Sequence, residues 1–387
     1  MTPAARLSAA STVLDRVLAG APAEQALTNW GRASRFAGSG DRAAVRDTVF
    51  AALRCRRSFA ALGGSETGRG LVLGGLRAAG LDPATLFTGE GHAPAPLTDA
   101  EQQDPAPLAE LVALDCPDWL APALKHSLGA DFAPVMRLLQ HRAPVFLRVN
   151  RARLTREEAQ ARLAAEGIAT TPHGLAPDAL EVTENARKIS GSSAYLEGLV
   201  ELQDVASQAV AEAVPLAAGA KVLDYCAGGG GKTLALAARL PLRLFAHDVD
   251  PKRMRDLPER ADRAGVKVRL LDTAALGCEA PFDLVLADAP CSGSGSWRRD
   301  PEGKWRLTEE RLAALCTLQA QIMDSCAALV APQGRLAYAT CSLLDAENRS
   351  QTASFLQRHP GWRLDQEHRL TPVQGGDGFY LAVLARG

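Results

Sequence analysis

Residues 221–233 read KVLDYCAGGGGKT. A short apolar strand runs into four consecutive glycines and then into a helical segment. Such a turn lets a ligand approach the backbone closely, and the helix beyond it offers free N–H groups. A Walker A phosphate loop needs glycine where Cys226 stands, so that match fails. The dinucleotide pattern G-x-G-x-x-G, begun at Gly228, meets Thr233 in place of its last glycine and fails too.

What remains is the nucleoside loop of class I S-adenosylmethionine (SAM) enzymes. These also place a carboxylate at the end of the next strand to hold the ribose hydroxyls. The stretch FAHDVD (245–250) puts Asp248 there. Strand patterns fit 220–225, 242–248, 267–271, 282–288, 334–340 and 378–384, and helices fit 231–240, 251–264, 308–329 and 345–358. This alternation predicts an α/β fold with a mostly parallel, doubly wound sheet, whose strand carboxyl ends collect the ligand groups. Two of those ends carry reactive side chains. FDLVLADAPCSGSG (282–295) ends in Asp288, Pro290 and Cys291, and GRLAYATCSLLDAEN (334–348) ends in Thr340 and Cys341. A lone cysteine is usually a small buried hydrophobe, which is the reading for Cys55, Cys116, Cys278, Cys316 and Cys326. Two cysteines directly after strand ends, beside a carboxylate and a nucleoside loop, point to chemistry instead.

Outward from residues 204–387 the texture changes. Residues 141–203 read as a small α+β connector, with strands at 145–150, 179–183 and 198–203 and a helix at 155–166. Residues 1–140 read as helices. The first eighty residues hold eleven Arg against five acids, a local charge of +6, while 81–120 hold eight acids and no Lys or Arg. Asp41 is placed to cap a helix whose apolar stripe is Val45, Val49, Phe50 and Leu53, with Arg54, Arg56 and Arg57 outside the stripe. Residues 88–107, rich in Pro, Gly and acids, read as a linker, and two further helices fit 107–114 and 117–140, the second interrupted near Gly129.

The chain has 387 residues, 47% hydrophobic and 22% charged, enough for two or three domains with cores of their own. Lys and Arg total 43 against 44 acids, so the global charge does not point to nucleic acid. None of the eight cysteines forms a C-x-x-C pair or a zinc spacing with histidine, so no metal is expected. The first twenty residues lack the apolar core of a signal peptide, and no apolar run approaches the length of a membrane span. A cytoplasmic monomer with free thiols and no membrane partner is expected.

Taken together, these motifs resemble the RsmB/Sun family of RNA cytosine-5 methyltransferases. The family's Cys-Ala-x-x-Gly-Gly-Lys-Thr loop is matched by Cys226 to Thr233, its Asp-Ala-Pro-Cys at 288–291 and its Ala-Thr-Cys-Ser at 339–342. Lys304-Trp305, Asp377-Gly378-Phe379 and Gln203-Asp204 match further signatures. One departure is Gly229, where the family's loop usually carries proline. The Arg-rich helix ending in LRCRRSF resembles the NusB-like RNA-binding domain of the bacterial branch. The resemblance implies a class I, Rossmann-like SAM-dependent methyltransferase domain at 204–387, the connector at 141–203 and an all-α NusB-like domain at 1–140. It implies SAM bound by Cys226, Ala227, Gly228, Gly229, Gly230, Gly231, Lys232, Asp248, Arg253, Asp272 and Asp288. It assigns Cys341 as nucleophile on C6 of cytosine, Cys291 to proton removal and product release, and Asp288 to stabilising the base. Arg54, Arg56, Arg57, Arg298, Arg299 and Lys304, with Trp305, are the candidate RNA contacts, and 16S ribosomal RNA is the implied substrate.

Other readings have specific signatures. A DNA cytosine-5 methyltransferase would carry Glu-Asn-Val, whereas Glu347-Asn348 is followed here by Arg349. A tRNA methyltransferase shares the same motifs. A non-catalytic RNA-binding assembly factor would not require both cysteines.

Overall fold

The computed structural model describes residues 1–386. It comprises two compact units, and the first is discontinuous in sequence: Met1–Arg142 together with Trp297–Arg306. The second takes Ala143–Ser296 and the chain from Leu307 onward.

The first unit is helical. Helices Pro3–Leu18, Ala23–Ala33, Ser39–Arg54, Arg56–Gly63 and Gly68–Ala78 enclose a core that includes Val13, Leu14, Leu27, Val45, Val49, Leu71 and Leu73. The last two helices pack backbone to backbone: a Cβ on Gly74 would collide with the main chain of Phe59. Asp41 lies inside the first turn of its helix, not at the cap. It accepts from the Gly38 N–H at 3.0 Å and pairs with Arg6 at 2.8 Å. The expected helix at 107–114 shortens to Glu110–Ala113. The one at 117–140 breaks into Ala121–Leu128 and Phe132–Leu139, where Gly129 takes φ +55°.

Acidic residues of 81–120, one in the 88–107 linker included, are bonded to the helices. Glu101 pairs with Arg69 at 2.8 Å, and its carbonyl accepts from Arg77. Asp118 pairs with Arg57 at 2.8 Å, and fully buried Asp115 accepts the N–H groups of Arg57 and Ser58 at 2.8 and 2.9 Å. Much of the +6 charge is therefore met within the unit.

The returning segment Trp297–Arg306 is bonded into the same helices. Trp305 Nε1 donates to the Leu53 carbonyl at 2.6 Å and Lys304 Nζ to the Arg54 carbonyl at 3.1 Å. Arg54 Nε donates to the Arg298 carbonyl at 2.7 Å, and the Glu302 carboxylate accepts from the Ala23 N–H at 3.1 Å.

The second unit holds two sheets. Strands Val145–Val149 (β1), Thr170–Pro172 (β2), Ala179–Val182 (β3) and Val200–Leu202 (β4) form an antiparallel sheet of order β2-β3-β1-β4. Strands Lys221–Asp224 (β5), Arg243–His247 (β6), Val268–Leu271 (β7), Phe282–Asp288 (β8), Val330–Thr340 (β9), Trp362–Leu370 (β10) and Phe379–Arg386 (β11) form the larger one, of order β10-β11-β9-β8-β5-β6-β7. The pairs β5–β6, β6–β7, β5–β8 and β8–β9 are parallel, and β11 and β10 close one edge antiparallel. Strand order reverses at β5, so the crevice beyond its carboxyl end is the topological switch point where ligands of such sheets bind. Strand β10 escaped the sequence reading. It is an edge strand of mostly charged and polar residues, without the apolar alternation that marks a half-buried strand.

The helix Glu309–Leu329 corrects one expectation. By length and composition it is apolar enough to cross a membrane, which no run was expected to be. In the fold Gln319, Ile322, Met323, Cys326 and Ala327 form its buried face, four of them in the core against the sheet.

Lys304 tests the packing of Trp297–Arg306. It is 1% exposed, and burial holds its ammonium down at about 8, against 10.5 for a free lysine. An unfolded lysine keeps its proton up to the higher value, so the buried charge opposes folding below pH 8 and that penalty fades as pH rises toward 10.5. Urea unfolding of the parent and of Lys304→Met should diverge accordingly. The parent should gain on the order of 1–3 kcal/mol relative to the variant between pH 7.5 and 9.5. A pH-independent difference would contradict the buried ammonium.

Candidate active site

Parallel pairing aligns Asp288 of β8 with Ala339 of β9. The chains leaving those two strand ends carry Cys291 and Cys341, and their Sγ atoms lie 3.4 Å apart. Two thiols this close do not both ionise readily. The hydrogen bond from Cys291 lowers the pKa of Cys341 below that of an ordinary thiol, and Lys232 acts in the same direction. The same contact, burial and the nearby Glu347 carboxylate raise Cys291 well above an ordinary thiol. Of the two thiols, Cys341 is therefore the one that ionises more readily, with Cys291 as the hydrogen-bond donor to the thiolate it forms. Lys232 Nζ lies 2.6 Å from Asp288 Oδ2, an ion pair between two of the residues expected at the cofactor site.

Sequence reasoning missed the group that ties the two cysteine loops together. Glu347 is fully buried. Its carboxylate accepts from the Ser292 N–H at 2.7 Å, Ser292 Oγ at 2.5 Å, Ser342 Oγ at 2.5 Å and Gln319 Nε2 at 3.0 Å. Asn348 beside it accepts from Thr340 Oγ1 at 2.5 Å and donates to the Ser342 carbonyl at 2.9 Å. The signal was present in SLLDAEN, where Glu347-Asn348 served only to exclude a DNA enzyme.

The glycine turn sits beside this pair, after β5. Gly228 and Gly230 take φ of +49° and +77°, and a Cβ on Gly230 would collide with Leu257, so the turn requires glycine there. Asp248 is almost fully buried. It accepts from the Gly228 and Asp250 N–H groups at 3.0 Å each and pairs with Arg253 at 3.1 Å. Arg260 donates to the Gly229 carbonyl, and Arg148 to the Gly231 carbonyl at 2.9 Å. Cys226 and Ala227 lie half-buried at the loop's entrance, and burial pushes the Cys226 thiol up, out of the reactive range. Asp272 directly follows β7 and bonds the Ala275 N–H at 2.8 Å. Carboxylates therefore stand at the ends of four adjacent strands: Asp288, Asp224, Asp248 and Asp272. Asp224 Oδ1 is buried without a hydrogen-bond partner, and burial raises this carboxyl to about 6. Acceptors spread along the crevice around a left-handed glycine turn fit a nucleoside with its hydroxyl and amino donors. Among the described residues no cluster of three His, Cys, Asp or Glu side chains could hold a metal ion.

The model for the 16S rRNA methyltransferase RsmB/F matches residues 212–384, and that for the RsmF/B-like ferredoxin-like domain matches 116–189. Ribosomal RNA small subunit methyltransferase B of Xylella fastidiosa is 37% identical over 288 residues, covering 70% of this chain and 68% of that protein. The chain belongs to the RsmB/F methyltransferase family. The protein of the same name from Vibrio cholerae is 36% identical over 285 residues, and the match spans 65% of its length. Among solved structures, PH0851 aligns over 100% of this chain and 99% of its own, with a TM-score of 0.80 at 25% identity. The Rossmann-like core thus belongs to an RsmB/F methyltransferase fold, with a helical region before it.

Among the expected RNA contacts of this RsmB/F chain, two are buried and the others differ in how far they are engaged within the chain. Lys304 is buried and bonded to main chain, and Arg298 is 4% exposed. Arg54 is tied to the Arg298 carbonyl, Arg56 pairs with Glu66 and Arg57 with Asp118. Their partners lie 10 to 244 residues away, beyond what helical spacing shows. Only Arg299 of the set stays exposed.

Two consequences can be measured. Removing the hydrogen bond in Cys291→Ala should move the alkylation of Cys341 by iodoacetamide to higher pH, because the thiolate loses the donor that stabilises it; an unmoved profile would show that the contact does not set its acidity. Glu347→Gln turns one acceptor into a donor facing donors. It should cost about 1–3 kcal/mol in thermal or urea unfolding, and an unchanged stability would contradict the brace.

Proposed function

We propose that this chain methylates C5 of a cytosine in RNA, with 16S ribosomal RNA as the substrate and SAM as the methyl donor. The observation that carries the reading is the 3.4 Å contact between Cys291 and Cys341 at neighbouring strand ends. Membership of the RsmB/F family and the names of its relatives support the choice of ribosomal RNA. A cytoplasmic setting follows from that substrate and suits eight free cysteines.

Cytosine C5 is a poor nucleophile. The Cys341 thiolate adds to C6, forming a C–S bond and turning the ring into an enamine nucleophilic at C5. As C6 is attacked, N3 gains electron density and a proton; Lys232 and Asp288 are the ammonium–carboxylate couple that delivers and holds it. Bound SAM, held by the 226–231 loop, Asp248 and Asp272, supplies an electrophilic methyl group. Once Cys341 is a thioether it no longer accepts from Cys291, and the largest influence raising that thiol is gone. Cys291 then loses its proton to solvent and takes the C5 proton. The C6–S bond breaks, Cys341 leaves as thiolate, and N3 returns its proton to Lys232. The base must leave its stack to reach the pair, which unpaired RNA allows at low cost.

The two cysteines should give opposite phenotypes. Cys341→Ala should neither methylate nor form a covalent complex. Cys291→Ala should add to C6 and methylate C5 but release slowly, so a protein–RNA band should accumulate on denaturing gels in the presence of SAM. The reverse pattern would exchange the roles. Methylation retained in both variants, with no trapped RNA, would sink the covalent mechanism. Bisulfite mapping of ribosomal RNA with and without the protein then locates the nucleotide.

A further inference from the structure

The turn between helices Ala23–Ala33 and Ser39–Arg54 presents a side chain that folding does not explain. Phe36 is 76% exposed. An aromatic ring left in water at a loop tip is an unmet hydrophobic contact. Its neighbours Arg32 and Arg35 are exposed as well. Arg6, Arg46, Arg56, Arg57 and Arg69 of this unit all sit in ion pairs. Arg32 and Arg35 have no carboxylate partner among the described residues.

The surroundings are divided by Trp30. On one side a cavity of about 660 Å³ is walled by Trp30, Phe36, Ala5 and Ala9 and is mostly apolar. On the other a cleft of about 420 Å³ is lined by Trp30 with Arg32, Arg42 and Arg46. The nearby acids are largely committed: Glu24 to Arg46, and Asp41 to Arg6 and the Met1 amine. Glu90 lines the apolar cavity and is not among the residues of the arginine cleft. Phe36 thus lines an apolar recess that shares Trp30 with an arginine-lined cleft, and Arg32 of that cleft and Arg35 are exposed beside it in the chain.

We infer that Phe36, with Arg32 and Arg35, receives an unpaired nucleotide of a single-stranded RNA segment, its base stacked on the ring and its adjacent phosphates on the guanidinium groups. Every nucleotide carries both a π face and a charge, so one ligand satisfies all three side chains. Duplex RNA keeps its base faces stacked and would leave Phe36 bare. An apolar protein partner would cover the ring but strand two arginines. The inference rests on the proposed RNA substrate and replaces the buried Lys304 and the paired Arg54, Arg56 and Arg57 as the RNA-facing element of the helical unit.

The test is fluorescence anisotropy of a labelled twelve-nucleotide single-stranded RNA with the full-length protein, at several salt concentrations. Phe36→Ala should weaken binding about tenfold or more, and Phe36→Trp should retain it. Phe36→Leu keeps an apolar side chain but no ring, and should behave like Phe36→Ala. Arg32→Ala with Arg35→Ala should flatten the salt dependence by about 1.4 in slope, two phosphates' worth for a single strand. Unchanged affinity in Phe36→Ala, or full affinity in Phe36→Leu, would overturn the stacking site. So would self-association of the parent that Phe36→Ala abolishes, since the ring would then be covered by a second copy. Adduct trapping by Cys291→Ala separates the two levels. RNA trapped normally while Phe36 proves irrelevant defeats this inference alone, whereas no binding and no adduct with any RNA defeats the proposed substrate along with it.

Discussion

The parallel register of β8 on β9 is the constraint on which the site depends. With Asp288 opposite Ala339, both strands end at the same level, and the residues just beyond them have nowhere to go but toward each other. That is how two cysteines fifty residues apart come into contact. A pair in contact carries one negative charge more easily than two, so the surroundings decide which sulfur holds it. Lys232 favours the anion on Cys341, and Glu347 disfavours it on Cys291. A register shifted by one residue would turn alternate side chains to the other face and separate the sulfurs.

A register fixes where strands end but not how the following loops lie. That task falls to Glu347. Among the described residues no cation is bonded to its carboxylate; four donors from three segments satisfy it instead. A buried acid met only by neutral donors is tolerable when nearly every lone pair is used, and it then fixes geometry firmly, because each donor lost leaves a charge under-solvated. The hydroxyls of Ser292 and Ser342, one residue past each cysteine, are therefore hinged on the same group.

Much of this was legible in the sequence because it is local. A strand, a turn and a helix that occupy consecutive residues leave a periodic trace, and the Pro-Cys and Thr-Cys motifs lie directly after strand patterns. The glycine turn, Asp248, Asp288 and both cysteines were found where expected. What was not legible depends on partners distant in sequence. The arginines of the first eighty residues looked like a free basic face, yet Glu101 of the 88–107 segment read as a linker meets Arg69, and Asp115 and Asp118 beyond it meet the backbone of Arg57 and Ser58 and the Arg57 side chain. Lys304 and Trp305 were expected to grip substrate because they follow the Pro-Cys loop in sequence. Their bonds to main-chain carbonyls of residues 53 and 54 could not be anticipated from spacing. Strand β10 was missed because an edge strand that buries little of either face has no period-two signature.

The small sheet, read from sequence as a connector, contributes to the cofactor loop itself. Arg148 on β1 is held inside the protein, where burial lowers even a guanidinium to about 10, and it donates to Gln203 and to the Gly231 carbonyl. Glu201 on β4 is buried and anchors Arg260 at 2.9 Å and Arg263 at 2.5 Å; Arg260 in turn donates to the Gly229 carbonyl. Two carbonyls of the glycine turn are thus gripped by guanidinium groups, both supported from β1 and β4. Four consecutive glycines make a turn with large conformational entropy to lose, and the resembling family limits that freedom with a proline where this chain has Gly229. Here the restraint comes from outside the loop, through hydrogen bonds that fix its carbonyls while leaving the backbone N–H groups of the turn to other partners. The sheet therefore acts as a brace for the glycine turn.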